Sequence, residues 1–141
     1  MVANGSIALV PGVPAETGRP VAQAPPAAVD VAALRRTLEG AIEGEVRFDT
    51  VSCALYSTDA SVYQIRPLGV VVPRTRDDLV RVVRACAEHR CPLTMRGGGT
   101  SQAGQAIGAG LIVDTSKYYN RLLDVNVEER WAVVQPGIVI P

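Results

Sequence analysis

The hydrophobic positions near the start of the chain follow a helical period. Asp30 is the type of residue that begins a helix, and Gly44 is the type that ends one. Between them, apolar residues recur at spacings of three and four, which places them on one helical face: Val31, Leu34, Leu38 and Ile42. The pattern therefore predicts an amphipathic helix, followed by a mixed and turn-rich stretch, 45–67, with no regular period.

A second amphipathic stretch follows a short apolar run. Residues 69–73 (GVVVP) predict a buried strand that stops at a proline. Thr75 and Asp78 form a capping box, which predicts a helix that runs to near Arg90. The spacing predicts one apolar face for this helix, made of Leu79, Val82, Val83, Cys86 and Ala87.

The rest of the chain alternates apolar runs with turn residues and predicts four more strands, at 92–96, 110–116, 121–129 and 130–137. Residues 126–130 suit a hairpin turn between the last two. The first two strands and the helix between them predict a βαβ unit, whereas no helix separates the later strands. The predicted fold class is therefore α+β. Because nothing follows to cover the last strand, we expect the chain to be a fragment.

Composition divides the chain into three parts. Residues 1–29 are rich in Ala and Pro and predict a disordered leader, since such a segment buries too little apolar surface to offset its ordering entropy. Residues 30–65 hold the first helix and the turn-rich stretch. Residues 66–141 hold the regular pattern of strands and predict the first part of a larger domain.

Charge and cysteine usage exclude several classes of function. Lys and Arg together number 14, as do Asp and Glu, so the chain lacks the excess of cations that nucleic-acid binding needs. No apolar run approaches the roughly 20 residues of a membrane span. The three cysteines include no CxxC pair, which predicts reduced thiols. The single histidine, His89, does not stand among ligands at the tight, repeated spacings of a metal site, which predicts a structural histidine and no metal site.

The segment 94–105 (TMRGGGTSQAGQ) is the strongest candidate for a binding site. Three consecutive glycines are costly to order, so such a loop usually needs positive φ angles or the close approach of another group. A glycine-rich turn after a strand presents successive backbone N–H groups that form a nest for an anion such as phosphate. Arg96 adds a cation, and Thr100 and Ser101 add hydroxyl donors.

Two familiar nucleotide-binding loops do not fit this segment. The P-loop requires a lysine after its last glycine, and none follows here. The Rossmann fingerprint requires a third glycine where Gln102 stands, and residues 103–110 contain too much glycine for the helix that it opens. A glycine-rich turn that only reverses the chain is the remaining structural alternative.

The order of these motifs resembles a known flavoprotein family. A strand ending at Pro73, a capped helix, RGGGTS, an apolar LIVD strand and the dipeptide 136–137 (PG) are similar to the PCMH-type, or vanillyl-alcohol-oxidase-like, FAD-binding domain. The upstream residues 56–73 are similar to the D-2-hydroxyacid dehydrogenase branch, which handles D-lactate, D-2-hydroxyglutarate or glycolate and includes long members with downstream iron–sulfur modules. The resemblance covers about residues 46 to 141.

The resemblance implies roles for individual residues. The glycine loop would wrap the FAD pyrophosphate through Gly97, Gly98, Gly99, Thr100 and Ser101, and Arg96 would shape the loop or balance charge. Further positions at the cofactor would be Gly104 and Gln105 beside the flavin, Pro73 under the adenosine half, and Pro136 and Gly137 at a closing turn. No histidine lies in this region, so noncovalent FAD is implied. A valine at Gly98 would obstruct the cradle and lose a permissive φ.

The implied function is the FAD-binding part of a dehydrogenase that oxidises a D-2-hydroxy acid to the 2-oxo acid by hydride transfer to flavin. The isolated chain is expected to be inactive. Its partners would be the hydroxy acid and an electron acceptor that the sequence does not identify. Any iron–sulfur cluster would belong to a downstream part of a longer chain. The location would be cytoplasmic or peripheral to the membrane. The alternatives are a non-catalytic nucleotide- or anion-binding module that uses RGGGTS, and a translated fragment without stable function.

Other polar residues have structural interpretations. Asp59 is expected to form an Asx turn, and Asp114 to cap the turn after its strand. Tyr118 and Tyr119 are expected to pack within the lobe, and Arg81 and Arg84 to be solvated.

Overall fold

The computed structural model describes residues 28–139. In this range the elements are α1 (Val31–Ala41), β1 (Glu45–Arg47), α2 (Thr50–Leu55), β2 (Gly69–Val72), α3 (Arg76–Glu88), β3 (Leu93–Arg96), β4 (Leu111–Asp114), β5 (Leu122–Asn126) and β6 (Trp131–Val134). The predicted leader lies outside the described residues except for its last two, of which Val29 packs against the core.

Helix α1 begins as predicted and ends earlier. The Asp30 carboxylate accepts a hydrogen bond from the N–H of Ala33 at 2.9 Å, which satisfies one of the free donors of the first turn. The helix stops at Ala41 because Ile42 is already extended. Gly44 does not end the helix as expected. Instead it allows close packing, since a Cβ there would lie 2.3 Å from the carbonyl oxygen of Val72.

Helix α3 has the predicted capping box. The N–H of Asp78 donates to Thr75 Oγ1 at 3.1 Å, and the N–H of Thr75 donates to Asp78 Oδ2 at 3.3 Å. The fully buried Asp78 carboxylate also accepts from the N–H groups of Arg74 and Glu43. Burial alone would raise the pKa of Asp78, but these hydrogen bonds outweigh it and the pKa is lowered. One carboxylate thus joins α3 to the connection between α1 and β1.

The predicted apolar face of α3 is wrong at two positions. Val83 and Ala87 are exposed, whereas Ala85 is buried beside Val82 and Cys86. The helix packs against α1 and the sheet through a stripe that is narrower than the sequence predicts. Val83 and Ala87 lie just beyond that stripe, since a helix turns by about 100° per residue.

Four strands form one sheet in the order β1-β2-β4-β3. Strands β2 and β3 both pair with β4 in parallel, and β1 pairs with β2 in antiparallel fashion. The predicted βαβ unit is present, but β4 lies between its two strands, so the crossover through α3 spans one strand position. All residues of β2 and β4 are buried, which explains their continuous apolar runs.

The turn-rich stretch contains two elements that the sequence analysis missed. Strand β1 has three residues and α2 has six, so neither is long enough to show a clear hydrophobic period. Helix α2 is capped by Asp49, whose carboxylate accepts from the N–H of Ser52 at 2.8 Å. It packs against β2. Helices α1 and α3 pack together on the sheet around a core that includes Leu34, Val71 and Val113.

The last two strands form the predicted hairpin as a separate sheet. Asn126 pairs with Trp131 at its turn, where Arg130 has a φ of 57°. Both strands are shorter than expected, and every residue in them except Asn126 is exposed.

Parallel pairing brings three chain connections to the same edge of the sheet. Pro73 follows β2, Gly97 follows β3 and Thr115 follows β4. In sheets of parallel strands, ligands bind at the carboxyl ends of the strands, next to a point where the strand order reverses. The glycine loop therefore leaves the sheet at the edge where a ligand site is expected.

Candidate functional site

The three consecutive glycines have three different surroundings. A Cβ on Gly97 would lie 3.4 Å from the carbonyl oxygen of Pro136, so this residue packs beside the closing turn. A Cβ on Gly98 would meet nothing closer than the Thr100 methyl group at 3.7 Å. Gly99 has a φ of 67°, and a Cβ there would lie 2.4 Å from the guanidinium of Arg96. Of the three, only Gly99 has the positive φ that the sequence suggested.

The backbone N–H groups of the loop are available to a ligand. From Gly97 to Gln102, six successive N–H groups donate no hydrogen bond to any residue within 28–139. Gly98 and Thr100 are exposed, and among the described residues the nearest neighbour of a Cβ built on Gly98 is the Thr100 methyl group. Consecutive N–H groups without protein acceptors are the donor set of an anion-binding nest.

The Arg96 side chain is directed back into the protein. Its Nη1 donates to the carbonyl oxygens of Thr58 at 2.8 Å and of Ala106 at 3.3 Å. Its Cζ lies 5.1 Å from the centre of the Tyr56 ring, within the range of a cation–π contact. This geometry supports a role in shaping the loop, because the guanidinium is engaged by protein groups on several sides.

The second half of the loop is closed by its own side chains. The Ser101 hydroxyl donates to the Gln105 side-chain oxygen and accepts from the N–H groups of Ala103 and Gln105. Gly104 has a φ of 78°, and a Cβ there would lie 3.0 Å from Cδ2 of Tyr63. Of the two predicted hydroxyl donors, Ser101 is thus engaged within the loop, whereas the Thr100 hydroxyl has no partner in the described part of the chain.

The structure places Gly137 near the loop and Pro73 one strand further away. Gly137 is buried at the end of β4, where a Cβ would lie 2.1 Å from the carbonyl oxygen of Thr115. Its N–H donates to the backbone carbonyl oxygen of Tyr119 at 2.7 Å. Its neighbour Pro136 contacts Gly97. The Pro73 side chain is fully buried at the end of β2, so it supports this edge from inside rather than presenting a free surface.

A half-buried tyrosine and a buried aspartate form a hydrogen-bonded pair beneath the same edge. The Tyr56 hydroxyl donates to Asp114 Oδ2 at 2.6 Å, and Asp114 Oδ1 accepts from the N–H of Ser116, which confirms the predicted cap of the turn. Burial, followed by the Asp114 carboxylate, raises the pKa of Tyr56 to about 12. The phenol therefore stays neutral and donates to Asp114 over the whole physiological range.

A charged cluster lies at the end of β2, where Glu45 pairs with Val72. The Glu45 carboxylate accepts from Lys117, Arg47 and Tyr118. The hydrogen bond from Lys117 is the largest cause that lowers the pKa of Glu45 to about 2. Arg74 lies 5.0 Å from the centre of the Tyr118 ring. Lys117 and Arg47 contact the Glu45 carboxylate directly, and Arg74 adds a third cation beside its tyrosine partner.

Other expectations for polar residues can now be compared with the structure. The N–H of Ser61 donates to Asp59 Oδ1 at 2.9 Å, which confirms the Asx turn. His89 is at the end of α3 with Nε2 3.0 Å from the Thr37 hydroxyl, and this contact supports its structural interpretation. Tyr119 is buried as expected, and Arg81 is exposed with one hydrogen bond, to the carbonyl oxygen of Ala41.

Outside the glycine loop, the described residues form two open grooves and no cluster of metal ligands. Two open grooves of about 290 and 330 Å³ lie along the exposed side of α3, lined by Asp77, Leu79, Val80, Arg81, Val83 and Arg84. Within residues 28–139, no three His, Cys, Asp or Glu side chains are grouped for a metal ion. All three cysteines are free and buried. None of the helices in this range is both long and apolar enough to cross a membrane.

Comparison with known proteins identifies the family. Residues 67–141 match the family described as the FAD binding domain. The chain belongs to the FAD-binding domain family. The match includes the glycine loop, the capped helix and the hairpin, and it ends with the last residue of the chain. It leaves out the segment 56–66 that contacts the glycine loop.

Several curated proteins resemble the chain in sequence. D-2-hydroxyglutarate dehydrogenase from Pseudomonas putida is 41% identical over 99 residues, which cover 68% of this chain and 10% of that protein. Glycolate oxidase subunit GlcD from Bacillus subtilis is 35% identical over 102 residues, covering 70% of this chain and 22% of that protein. The chain thus spans about a tenth to a fifth of the length of these relatives.

Solved structures with the same fold confirm the expected architecture. Alkyldihydroxyacetonephosphate synthase matches 76% of this chain and 23% of its own with a TM-score of 0.64 and 18% identity. Substrate-bound p-cresol methylhydroxylase also matches 76% of this chain, and 22% of its own, with a TM-score of 0.60 and 18% identity. The predicted α+β fold of a PCMH-type FAD-binding domain is therefore confirmed.

Proposed function

We propose that the glycine loop of this FAD-binding domain holds the pyrophosphate of a noncovalently bound FAD, and that the chain is the FAD-binding part of a dehydrogenase for a D-2-hydroxy acid. The observation that carries this proposal is the run of N–H groups from Gly97 to Gln102 that have no acceptor among residues 28–139. A pyrophosphate supplies several anionic oxygens, and the space over Gly98 lets them approach the backbone closely.

The other candidate residues contribute in different ways. Thr100 offers a free hydroxyl beside the N–H groups, while Arg96 and Ser101 keep the loop in shape. Gly104 and Gln105 form the following turn, beside which the flavin would lie. Gly137 and Pro73 support the same edge of the sheet from below.

Bound FAD supplies the redox chemistry, since its flavin accepts a hydride equivalent from the α-carbon of a 2-hydroxy acid. The described residues supply placement of the cofactor. Asp59 and Asp114 each hold backbone N–H groups of turns, so neither is assigned to proton transfer with a substrate. Noncovalent binding is supported by the sequence, because His89 is the only histidine and it lies at the end of α3.

The substrate class rests on the names of the relatives. These are D-2-hydroxyglutarate dehydrogenase, a glycolate oxidase subunit and, from Kluyveromyces lactis, a mitochondrial cytochrome D-lactate dehydrogenase that is 32% identical over 77 residues. All three names refer to a carboxylic acid with a hydroxyl on its α-carbon. We propose the same class of substrate here, together with an electron acceptor of unspecified identity. The buried free cysteines and the absence of a spanning helix among residues 28–139 support a cytoplasmic or membrane-peripheral location.

The binding proposal is tested with the chain alone. Purified protein is titrated with FAD, with ADP and with riboflavin, which lacks the pyrophosphate, and the flavin released by heat is identified by chromatography. We expect weak binding of FAD, weaker binding of ADP and no binding of riboflavin. Equal affinity for ADP and FAD would favour the alternative of a general nucleotide-binding module. A folded protein that binds none of them would contradict the proposal.

The dehydrogenase proposal needs the complete polypeptide of which this chain forms part. Anaerobic addition of D-2-hydroxyglutarate, D-lactate or glycolate should bleach the flavin absorbance, and L-2-hydroxyglutarate and L-lactate should not. The 141-residue chain alone should oxidise none of these acids, because one loop cannot enclose the flavin. Robust turnover by the chain alone would contradict the proposal that residues outside this chain are needed to complete the active site.

A further inference from the structure

The segment 56–63, hereafter the brace, lies outside the residues that match the FAD-binding family yet contacts the glycine loop along its length. We propose that the brace is a positioning element of the FAD site and that Asp59 fastens it to the loop. The proposal rests on the proposed function for its ligand, but the contacts between the brace and the loop can be tested without any ligand.

The first contact joins the two backbones. The N–H of Ala60 donates to the carbonyl oxygen of Gly99 at 3.0 Å. Gly99 is the residue of the glycine triplet with a positive φ, so this hydrogen bond holds a backbone conformation that side chains rarely adopt. With its carbonyl oxygen directed to the brace, Gly99 leaves the side of the loop that carries the N–H groups open.

The second contact runs through the Arg96 guanidinium. One nitrogen, Nη1, donates both to the brace, at the carbonyl oxygen of Thr58, and to the far end of the loop, at the carbonyl oxygen of Ala106. The ring of Tyr56, the first residue of the brace, lies against the same guanidinium. A single side chain therefore connects both ends of the loop to the brace.

The third contact is made by the Asp59 carboxylate. Its Oδ1 accepts from the N–H of Ser61 at 2.9 Å, within the brace, and its Oδ2 accepts from the N–H of Ala106 at 3.3 Å. The hydrogen bond from Ser61 and, among smaller causes, the charge of Arg96 lower the pKa of Asp59, so the carboxylate is ionised at neutral pH. Both oxygens are used, one on each side of the junction.

The fourth contact explains a glycine that anion binding alone does not require. The ring of Tyr63 occupies the space that a side chain at Gly104 would need, with Cδ2 at 3.0 Å from the Cβ position. Gly104 also has a positive φ, so the turn and the brace fit each other in shape. The brace therefore contacts the loop at Gly99, at Gly104 and at Ala106.

These contacts give the loop its preorganisation. Three loop groups on the inner side, the carbonyls of Gly99 and Ala106 and the N–H of Ala106, are paired with the brace or with Arg96. The N–H groups from Gly97 to Gln102 are left without acceptors. A loop that is already ordered loses less conformational entropy when an anion binds, which raises affinity without a new contact to the ligand.

The test compares Asp59→Ala with Asp30→Ala. Asp30 is also a carboxylate that accepts one local N–H, but it is exposed and caps α1, far along the chain from the loop. Amide exchange measured by NMR at Ala60 is the first readout, because the Ala60 hydrogen bond goes to Gly99 and does not involve Asp59. We expect exchange about tenfold faster in Asp59→Ala, which corresponds to about 1.4 kcal/mol of lost protection, and unchanged exchange in Asp30→Ala.

The second readout is the Kd for FAD measured by titration. We expect it to rise about tenfold in Asp59→Ala, with a thermal midpoint no lower than that of Asp30→Ala. Asp59→Asn keeps an acceptor for the N–H of Ser61 but presents an amide to Ala106, so it should restore the turn and only part of the affinity.

Two results would overturn the proposal. One is Ala60 exchange in Asp59→Ala that matches the wild type. The other is faster exchange at Ala60 with an FAD affinity equal to that of Asp30→Ala, which would make the brace a structural element only. If the wild-type chain binds no FAD, the proposed function fails by itself, and the exchange at Ala60 still decides whether Asp59 fastens the loop.

Discussion

The guanidinium of Arg96 lies directly beneath Gly99, so that a Cβ on Gly99 would be 2.4 Å from its Nη2 atom. The adjacent Gly98 has no such neighbour, since a Cβ there would make only an ordinary van der Waals contact with the Thr100 methyl group at 3.7 Å. Two adjacent glycines of one motif are therefore needed for opposite reasons. Gly99 is needed for the folded structure of the loop, whereas we propose that Gly98 is needed to leave room for a ligand.

Substitution of Gly99 should disturb the protein before any ligand is added. In Gly99→Ala the positive φ costs about 1–2 kcal/mol, and Arg96 must move away from the carbonyl oxygens of Thr58 and Ala106. We expect a lower thermal midpoint and faster amide exchange at Ala60. A variant with wild-type stability and wild-type exchange would show that the loop does not need this conformation.

Substitution of Gly98 should have the opposite effect, with stability largely retained and FAD binding lost. Gly98→Val adds a side chain whose Cβ meets only the Thr100 methyl group, at 3.7 Å, and the φ of this residue is not positive, so the thermal midpoint should fall by less than it does in Gly99→Ala. The valine would fill the space over the N–H groups, and FAD binding should be lost. The expectation from the sequence that φ contributes to this loss is wrong, because the φ of Gly98 is not positive. A folded Gly98→Val protein that retains FAD would exclude the cradle.

The glycine motif illustrates how far the sequence alone reaches. The motif RGGGTS predicts an anion-binding loop because an arginine, three glycines and two hydroxyl residues stand at six successive positions. The sequence does not reveal which glycine has a positive φ or that Arg96 points inward, because both depend on the segment around Asp59, about 40 residues earlier in the chain. That segment has no regular hydrophobic period, and it reaches the loop through long-range hydrogen bonds.

The buried hydrogen bond between Tyr56 and Asp114 should contribute to stability. Tyr56→Phe removes the donor and leaves Asp114 Oδ2 without that partner in a buried position, which costs about 1–3 kcal/mol. Tyr118→Phe is the matched control, since the Tyr118 hydroxyl donates to the partly exposed Glu45 and its loss should cost less. Urea unfolding at pH 7 compares the two variants, and equal losses would contradict the assigned difference.

The same hydrogen bond predicts a dependence on alkaline pH. Because folding raises the pKa of Tyr56 from 10.0 to about 12, its contribution is complete below pH 10 and is lost as the pH rises through about 12. Tyrosinate absorbance should therefore show a late ionisation, and Tyr56→Phe should remove part of it while the part from Tyr119, whose pKa burial also raises, should remain. A titration that is identical in both proteins would assign the late step to another tyrosine.

The charged cluster around Glu45 predicts a dependence on acidic pH. Folding lowers the pKa of Glu45 from 4.5 to about 2, so its contribution is present above pH 4.5 and is lost as the pH falls towards 2. The cluster is partly exposed, and solvent screening limits its effect to about 1 kcal/mol. Carboxyl NMR of Lys117→Gln should show a raised pKa of Glu45, and Arg35→Gln, which breaks the separate pair with Glu39, should not.

Regular elements with a clear period were predictable, and those fixed by packing were not. Helix α3 and strands β2 and β4 follow directly from a capping box and continuous apolar runs, whose burial the structure confirms. The order of the sheet did not follow, because the position of β4 between β2 and β3 depends on which buried faces meet. Val83 shows the same limit within one helix, since the width of the packed stripe is set by the partner surface.

The β5–β6 hairpin should be the least stable part of the described chain. Its two strands pair only with each other, and apolar side chains such as Leu123, Val127 and Val133 are exposed. An isolated two-stranded hairpin is at best marginally stable in water. Amide exchange should therefore be fast in Leu122–Asn126 and slow in Leu111–Asp114, and limited proteolysis should cut first at Arg130 in the turn. Equal protection in both segments would mean that another surface covers the hairpin in solution, and concentration-dependent exchange would then identify that surface as a second copy of the chain.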